Sequence, residues 1–251
     1  MSRLEGARVA MTGAAGGLGS LLAGLLREAG AHVTGIDRGE CAACDSSIVT
    51  DLCDDAALAA LAERLKGECP DILVNVAGMM RFGLQEGQPI DALAMCYRVN
   101  LMVPAVLAGA VAGPMRARGT GQIVNIGSVL GAIPYPWFAA YSSSKAGLAA
   151  LSLALRRELI DSGVCVTHVN PRAARTPFNN GEVNRFLAFT GMKADEPKWV
   201  ARRIATAILE RRETVSIGVM ERIYAVLNAV APKLIDTGLA SQTRKARVEF
   251  S

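Results

Sequence analysis

The 251-residue sequence is short of several things, and each shortage narrows what the chain does. It holds only two histidines, His32 and His168. Both fall inside predicted strands, where packing is the ordinary use of a histidine, so a histidine-based hydrolase is disfavoured. Aromatics are 5% of the residues and do not interleave with the basic ones. A nucleic-acid surface needs that interleaving, so no nucleic-acid partner is expected. The longest apolar runs, residues 101–112 and 223–231, fall short of the roughly 20 residues that cross a bilayer. Residues 1–6 have no apolar leader pattern, and a soluble cytoplasmic protein is expected. No Pro- or Ser-rich linker and no repeat divides the chain, so residues 1–251 read as a single domain.

Six cysteines are present. Without a secretory signal they read as free thiols. Cys41-Ala-Ala-Cys44 has the spacing of half a zinc site, but no second pair follows, and no metal is expected. The net charge of +4 is carried by the last quarter: residues 193–251 hold 11 basic and 7 acidic groups. A solvated helical surface is the favoured reading, with membrane contact by the tail as the weaker alternative.

Hydrophobic residues make up 51% of the chain, enough for a large core. Short apolar runs at 8–12, 32–37, 47–50, 71–76, 122–126, 164–169 and 214–217 read as strands. Helical periodicity fills 18–29, 56–66, about 90–112, 140–160 and 197–210. This alternation predicts an α/β fold, doubly wound, with a mostly parallel seven-stranded sheet and helices on both faces. Ligands of such sheets bind beyond the carboxyl ends of the strands.

Three features sit at those ends. Gly13, Gly16, Gly17 and Gly19 join the first strand to the first helix. Glycines there allow a tight turn and let a pyrophosphate approach the helix N–H groups. Asp37 ends the second strand, placed to accept hydrogen bonds from an adenosine ribose. Its charge repels a 2′-phosphate, so NAD is favoured over NADP, with Arg38 the counter-argument. Tyr141 and Lys145 lie four apart on a helix, hence on one face. A nearby ammonium favours the phenolate, and a tuned phenol exchanges protons with an alcohol or carbonyl. Ser128 adds a hydroxyl at another strand end. Asn100 adds an amide in a strongly apolar helix.

Together these motifs resemble the short-chain dehydrogenase/reductase family over about residues 7–217. The matches are the glycine turn (Thr12, Gly13, Gly17, Gly19), Asp51 after the third strand, Asn75-Val76-Ala77-Gly78, Asn100, Ser128, and Tyr141 with Lys145. The resemblance implies a Rossmann sheet and hydride transfer between NAD(H) and a carbonyl or secondary alcohol. It implies Tyr141 as general acid/base, Lys145 on the nicotinamide ribose, Ser128 on the substrate oxygen, and Asn100 holding a relay water. Cofactor contacts are implied for Gly13, Gly17, Leu18, Gly19, Asp37, Asp51, Leu52, Asn75, Gly78, Tyr141, Lys145, Pro171 and Thr176. A homodimer or homotetramer is expected from relatives. Two departures stand out: Val76 replaces the second Asn of the Asn-Asn-Ala-Gly pattern, and Arg172 replaces the glycine after Pro171.

Residues 176–198 form the expected substrate loop. Its Phe178, Phe186, Leu187, Phe189 and Met192, with Tyr135, Trp137, Phe138, Met79 and Met80, suggest a hydrophobic substrate. Core packing is the near-even alternative. Residues 219–251 read as a helical C-terminal tail, in place of the family's glycine-rich ending. Such an ending is similar to members acting on long acyl chains, and a long-chain acyl or aldehyde reductase is one alternative. A dinucleotide sensor without turnover is another. A sugar-nucleotide epimerase is disfavoured, because little chain follows Lys145 to build a substrate domain.

Overall fold

A computed structural model describes residues 4–179 and 181–250. Seven strands form one sheet: β1 (Arg8–Thr12), β2 (His32–Asp37), β3 (Ser46–Val49), β4 (Ile72–Asn75), β5 (Gly121–Ile126), β6 (Val164–Asn170) and β7 (Thr214–Ser216). Their spatial order is β3-β2-β1-β4-β5-β6-β7 and every pair is parallel. Parallel strands need crossovers that cover both faces, and the strand sequences supply apolar groups to both. Alternate residues point to opposite faces. Val9, Met11 and Val74 therefore pack with α1 (Gly17–Glu28) and α8 (Pro197–Leu209), through Leu22, Leu26, Val200 and Ile204. Ala10 and Leu73 pack on the other face with α2 (Asp55–Glu68), α4 (Val103–Arg118) and α6 (Ala139–Glu158), through Leu61, Leu107, Val111 and Leu155.

The helix expected over 90–112 is longer and interrupted. It runs as α3 (Ile90–Tyr97), a π-helical turn over Arg98–Met102, and then α4. The whole of Ile90–Arg118 is long and apolar enough to cross a membrane, which the broken apolar runs did not suggest. Val103, Leu107, Val111 and Met115 are buried against the sheet, so it serves as a core helix.

The expected substrate loop contains α7 (Gly181–Thr190), and the short α5 (Val129–Ala132) follows β5. The tail forms two helices, α9 (Val219–Val230) and α10 (Pro232–Glu249). Ala231 precedes Pro232 and adopts extended φ, because the proline ring disfavours helical backbone before it. A third cluster ties these late elements together. Phe186, Trp137, Phe138 and Ala246 are buried in it, with Phe250 and Phe82 packed on them. The Trp137 indole N–H donates to the Phe250 carbonyl at 3.2 Å. Packing is thus the use of Phe186, Trp137 and Phe138, which the sequence left open as substrate contacts.

Candidate active site

The strand order reverses direction at β1 and β4, which opens a crevice beyond their carboxyl ends. A cleft of about 370 Å³ lies there. Its floor begins at the glycine turn. Gly13 has φ +70°, and a Cβ on it would lie 2.6 Å from the Ala77 nitrogen. Its N–H donates to the Ile36 carbonyl at 2.9 Å. A Cβ on Gly19 would be driven into the Gly13 carbonyl oxygen. Gly16 caps α1 without any side-chain hydrogen bond, so the first N–H groups of the helix face the cleft that Gly16, Gly17, Leu18 and Gly19 line.

Asp37 closes the far end. Its Oδ2 accepts from the Ala15 N–H at 3.0 Å and its Oδ1 from the Arg38 N–H at 2.8 Å. The carboxylate stitches the end of β2 to the glycine turn, so its place is held before any ligand arrives. Arg38, Asp51 and Leu52 line the same end. Cys41 and Cys44 lie just behind it, joined by a Cys44 N–H to Cys41 carbonyl bond of 2.8 Å. Burial pushes the Cys44 thiol up to about 11, so it is a neutral thiol at ordinary pH.

At the other end stand Tyr141 and Lys145, both on α6 and both buried. Ser128, just beyond β5, is buried and its hydroxyl lies near enough to the Tyr141 phenol to act on its pKa. Ser128 also caps α5, accepting from the Leu130 N–H at 3.2 Å. Lys145 Nζ donates to the Ile126 carbonyl at 2.8 Å. Gly78, Pro171, Thr176, Tyr141 and Lys145 line the cleft with Met79, Met95, Val99 and Phe178. Gly78 leaves no room for a side chain without crowding: a Cβ would sit 3.3 Å from Asn100 Oδ1 and 3.7 Å from Lys145 Nζ.

The structure adds to three expectations and changes two of them, those for the Tyr141–Lys145 pair and for Asn75. The ammonium does not dominate the phenol. Burial pushes Tyr141 up to about 12, only partly opposed by the nearby Ser128 hydroxyl. Burial likewise pulls Lys145 down to about 8. Desolvation penalises whichever form is charged, and here it outweighs any mutual attraction. Secondly, the Asn75 side chain turns away from the cleft. Its amide donates to Asn125 Oδ1 at 2.8 Å, and the chain continues through Ser152 to His168 inside the sheet. Thirdly, the Asn100 side chain is wholly buried. Its Oδ1 accepts from the Met79 N–H, and its amide donates to the Met79 carbonyl, each at 2.8 Å, and to Ser144 Oγ at 3.0 Å. It clamps the segment after β4 to the helices, so both side-chain N–H groups are spent on Met79 and Ser144 and only its oxygen acceptors remain for a water. The π-turn at Arg98–Met102 is what carries it inward.

His168 is buried in the sheet, and desolvation lowers it to about 4, so it stays neutral at ordinary pH.

Sequence reasoning flagged Arg172 only as a departure. It lines the cleft. Its guanidinium grips both oxygens of Asp195, with the Nε contact at 2.9 Å, and reaches Glu221 Oε1 at 3.1 Å. Asp195 follows α7 and Glu221 belongs to α9, so one side chain fastens both to the end of β6. Met95 and Val99 were missed too. Their signal was available: they lie within five residues of Asn100, on the apolar helix that approaches the site.

Comparison with known proteins agrees with this geometry. The family model described as short chain dehydrogenase matches residues 7–185. Dehydrogenase/reductase SDR family member 7B of Rattus norvegicus is 31% identical over 275 aligned residues, covering 97% of this chain and 83% of that protein. A short chain dehydrogenase of Pseudocercospora fijiensis is 30% identical over 185 residues, and the match covers 67% of this chain and 60% of that one. The solved short-chain dehydrogenase of Sphingobium yanoikuyae, in complex with NADPH, superposes with TM-score 0.78 at 28% identity, over 92% of this chain and 95% of that one.

Proposed function

The chain belongs to the short-chain dehydrogenase family of oxidoreductases, and on that premise we propose that it exchanges a hydride between a nicotinamide dinucleotide and an apolar carbonyl or secondary alcohol. One observation carries the reading. The Tyr141 phenol, one turn from Lys145 and near the Ser128 hydroxyl, stands in the cleft that the glycine turn opens.

The chain's own groups suit such a cofactor. A turn built on Gly13, Gly16, Gly17 and Gly19 and a helix start without a side-chain cap fit a pyrophosphate. Asp37 faces the adenosine end, where each oxygen keeps a free lone pair for a ribose hydroxyl. Its charge, unfavourable to a 2′-phosphate, supports NAD over NADP, although the Sphingobium relative holds NADPH. The bound dinucleotide supplies the hydride.

The protein's part is the proton. With its pKa raised to about 12, Tyr141 is a neutral phenol at ordinary pH. It suits donation to a carbonyl oxygen as negative charge develops there. Ser128 supports the same oxygen. Lys145, still largely protonated near neutrality, offers an ammonium to ribose hydroxyls. The Met79, Met95, Val99 and Phe178 surfaces favour an apolar substrate.

The test is a turnover screen with NAD(H) and NADP(H) across steroid, aliphatic and aromatic alcohols and ketones. Tyr141→Phe should lower turnover by at least about 10²–10⁴-fold while dinucleotide binding stays nearly unchanged. Tight NADH binding with no turnover on any substrate would instead favour a sensor.

A further inference from the structure

Helix α9 turns an apolar stripe to solvent. Val219, Ile223, Val226 and Val230 are spaced four, three and four apart and share one face. They are 64, 54, 65 and 75% exposed. The opposite face holds the helix to the protein. Glu221 and Asn228, seven residues apart, bond respectively to Arg172 and to the Ala132 carbonyl, each at 3.1 Å. Met220 and Tyr224 elsewhere on α9, and Leu234 on α10, are exposed as well. Contiguous patches of this kind mark contact with a protein or a membrane.

Charge decides between those occupants. Arg222, beside Ile223 on α9, and Lys233, at the start of α10, are both exposed. The one acid of α9, Glu221, is turned inward onto Arg172. Asp236 lies a turn further on, in α10. Were a second copy to dock stripe to stripe, its α9 would offer no outward carboxylate to receive Arg222. Anionic headgroups would receive both cations, while the four β-branched side chains enter the acyl boundary. We infer that α9 is a docking face for an anionic lipid surface. The same helix reaches the cleft through the Glu221–Arg172 bond, so docking sets the cleft mouth beside the lipid.

The test is co-sedimentation of the full chain with phosphatidylcholine vesicles made with and without phosphatidylglycerol. The wild-type protein should sediment with the anionic vesicles, and added salt should weaken this. Arg222→Gln and Lys233→Gln should each reduce binding about fivefold. Ile223→Asp with Val226→Asp should abolish it while leaving the thermal melt and dinucleotide binding as in the wild type, because both side chains already face water. A wild-type protein that stays in the supernatant with both vesicles overturns the inference. So does a light-scattering mass that falls from dimer to monomer in the aspartate variant without lipid binding, which would give the face to a second copy. Neither readout depends on hydride transfer.

Discussion

Lys145 and Tyr141 stand one helical turn apart, yet the lysine Nζ lies 6.0 Å from the centre of the phenol ring and donates a hydrogen bond to the Ile126 carbonyl. The free protein therefore holds a neutral phenol beside a desolvated ammonium. Burial has made the tyrosine a weaker acid and the lysine a weaker base.

Lys145 thus costs the fold stability. Its pKa of about 8, against the usual 10.5, means that the unfolded chain binds more protons between those values. The penalty is full below pH 8 and fades as pH rises toward 10.5. It amounts to about 3 kcal/mol at 1.36 kcal/mol per pH unit. Lys145→Met should raise the unfolding free energy at pH 7 by about 2 kcal/mol, allowing for the lost bond to Ile126. The gain should shrink at pH 10, and turnover should disappear. Urea melts at the two pH values check this; a gain that is larger at pH 10 contradicts it.

Asp37→Ala removes the acceptor at the adenosine end and also frees the Ala15 and Arg38 N–H groups. NAD binding should weaken by about tenfold, the effect of losing a charge-assisted bond of about 1.5 kcal/mol. NADP should lose less, so the preference ratio moves toward it. Titration with both dinucleotides gives the ratio, and equal losses contradict the assignment of Asp37.

Gly19 and Gly24 lie on one helix in opposite situations. A Cβ at Gly19 meets the Gly13 carbonyl, which is backbone and cannot step aside, whereas Gly24 has nothing within 4 Å. Gly19→Ala should destabilise by about 2–3 kcal/mol as an overpacked site and weaken dinucleotide binding. Gly24→Ala should stabilise by up to about 1 kcal/mol through helix propensity alone. Thermal melts of the pair provide the comparison.

Arg172→Gly cuts the strut to Asp195 and Glu221. It leaves two carboxylates without their cation, at a cost of about 2 kcal/mol for so partly exposed a site. The segment carrying α7 then loosens; if it borders the substrate as proposed, KM for the carbonyl substrate should rise several-fold while dinucleotide Kd changes little. Parallel kinetics and binding titrations separate the two. A loss confined to dinucleotide affinity would show that Arg172 acts on the cofactor side.

The order of strands and helices, the glycine turn and the position of Asp37 at a strand end were legible in the sequence. Each is a local matter: periodicity, turn chemistry and adjacency along the chain. Asn75 and Asn100 were placed at the cleft by motif alone. Their side chains instead meet Asn125 and Met79, partners 50 and 21 residues away. Local pattern says that a buried amide needs partners, but it does not name them.

The spacing of Tyr141 and Lys145 likewise determined that they share a helix face. Their protonation was decided by the tertiary structure, because desolvation depends on everything packed around the site rather than on the neighbour one turn away. The tail shows the same division. Its helical periodicity was visible in the sequence, but which face of α9 would be left to water was not. That depended on Glu221 and Asn228 finding Arg172 and Ala132, contacts made only once distant segments of the chain had folded together.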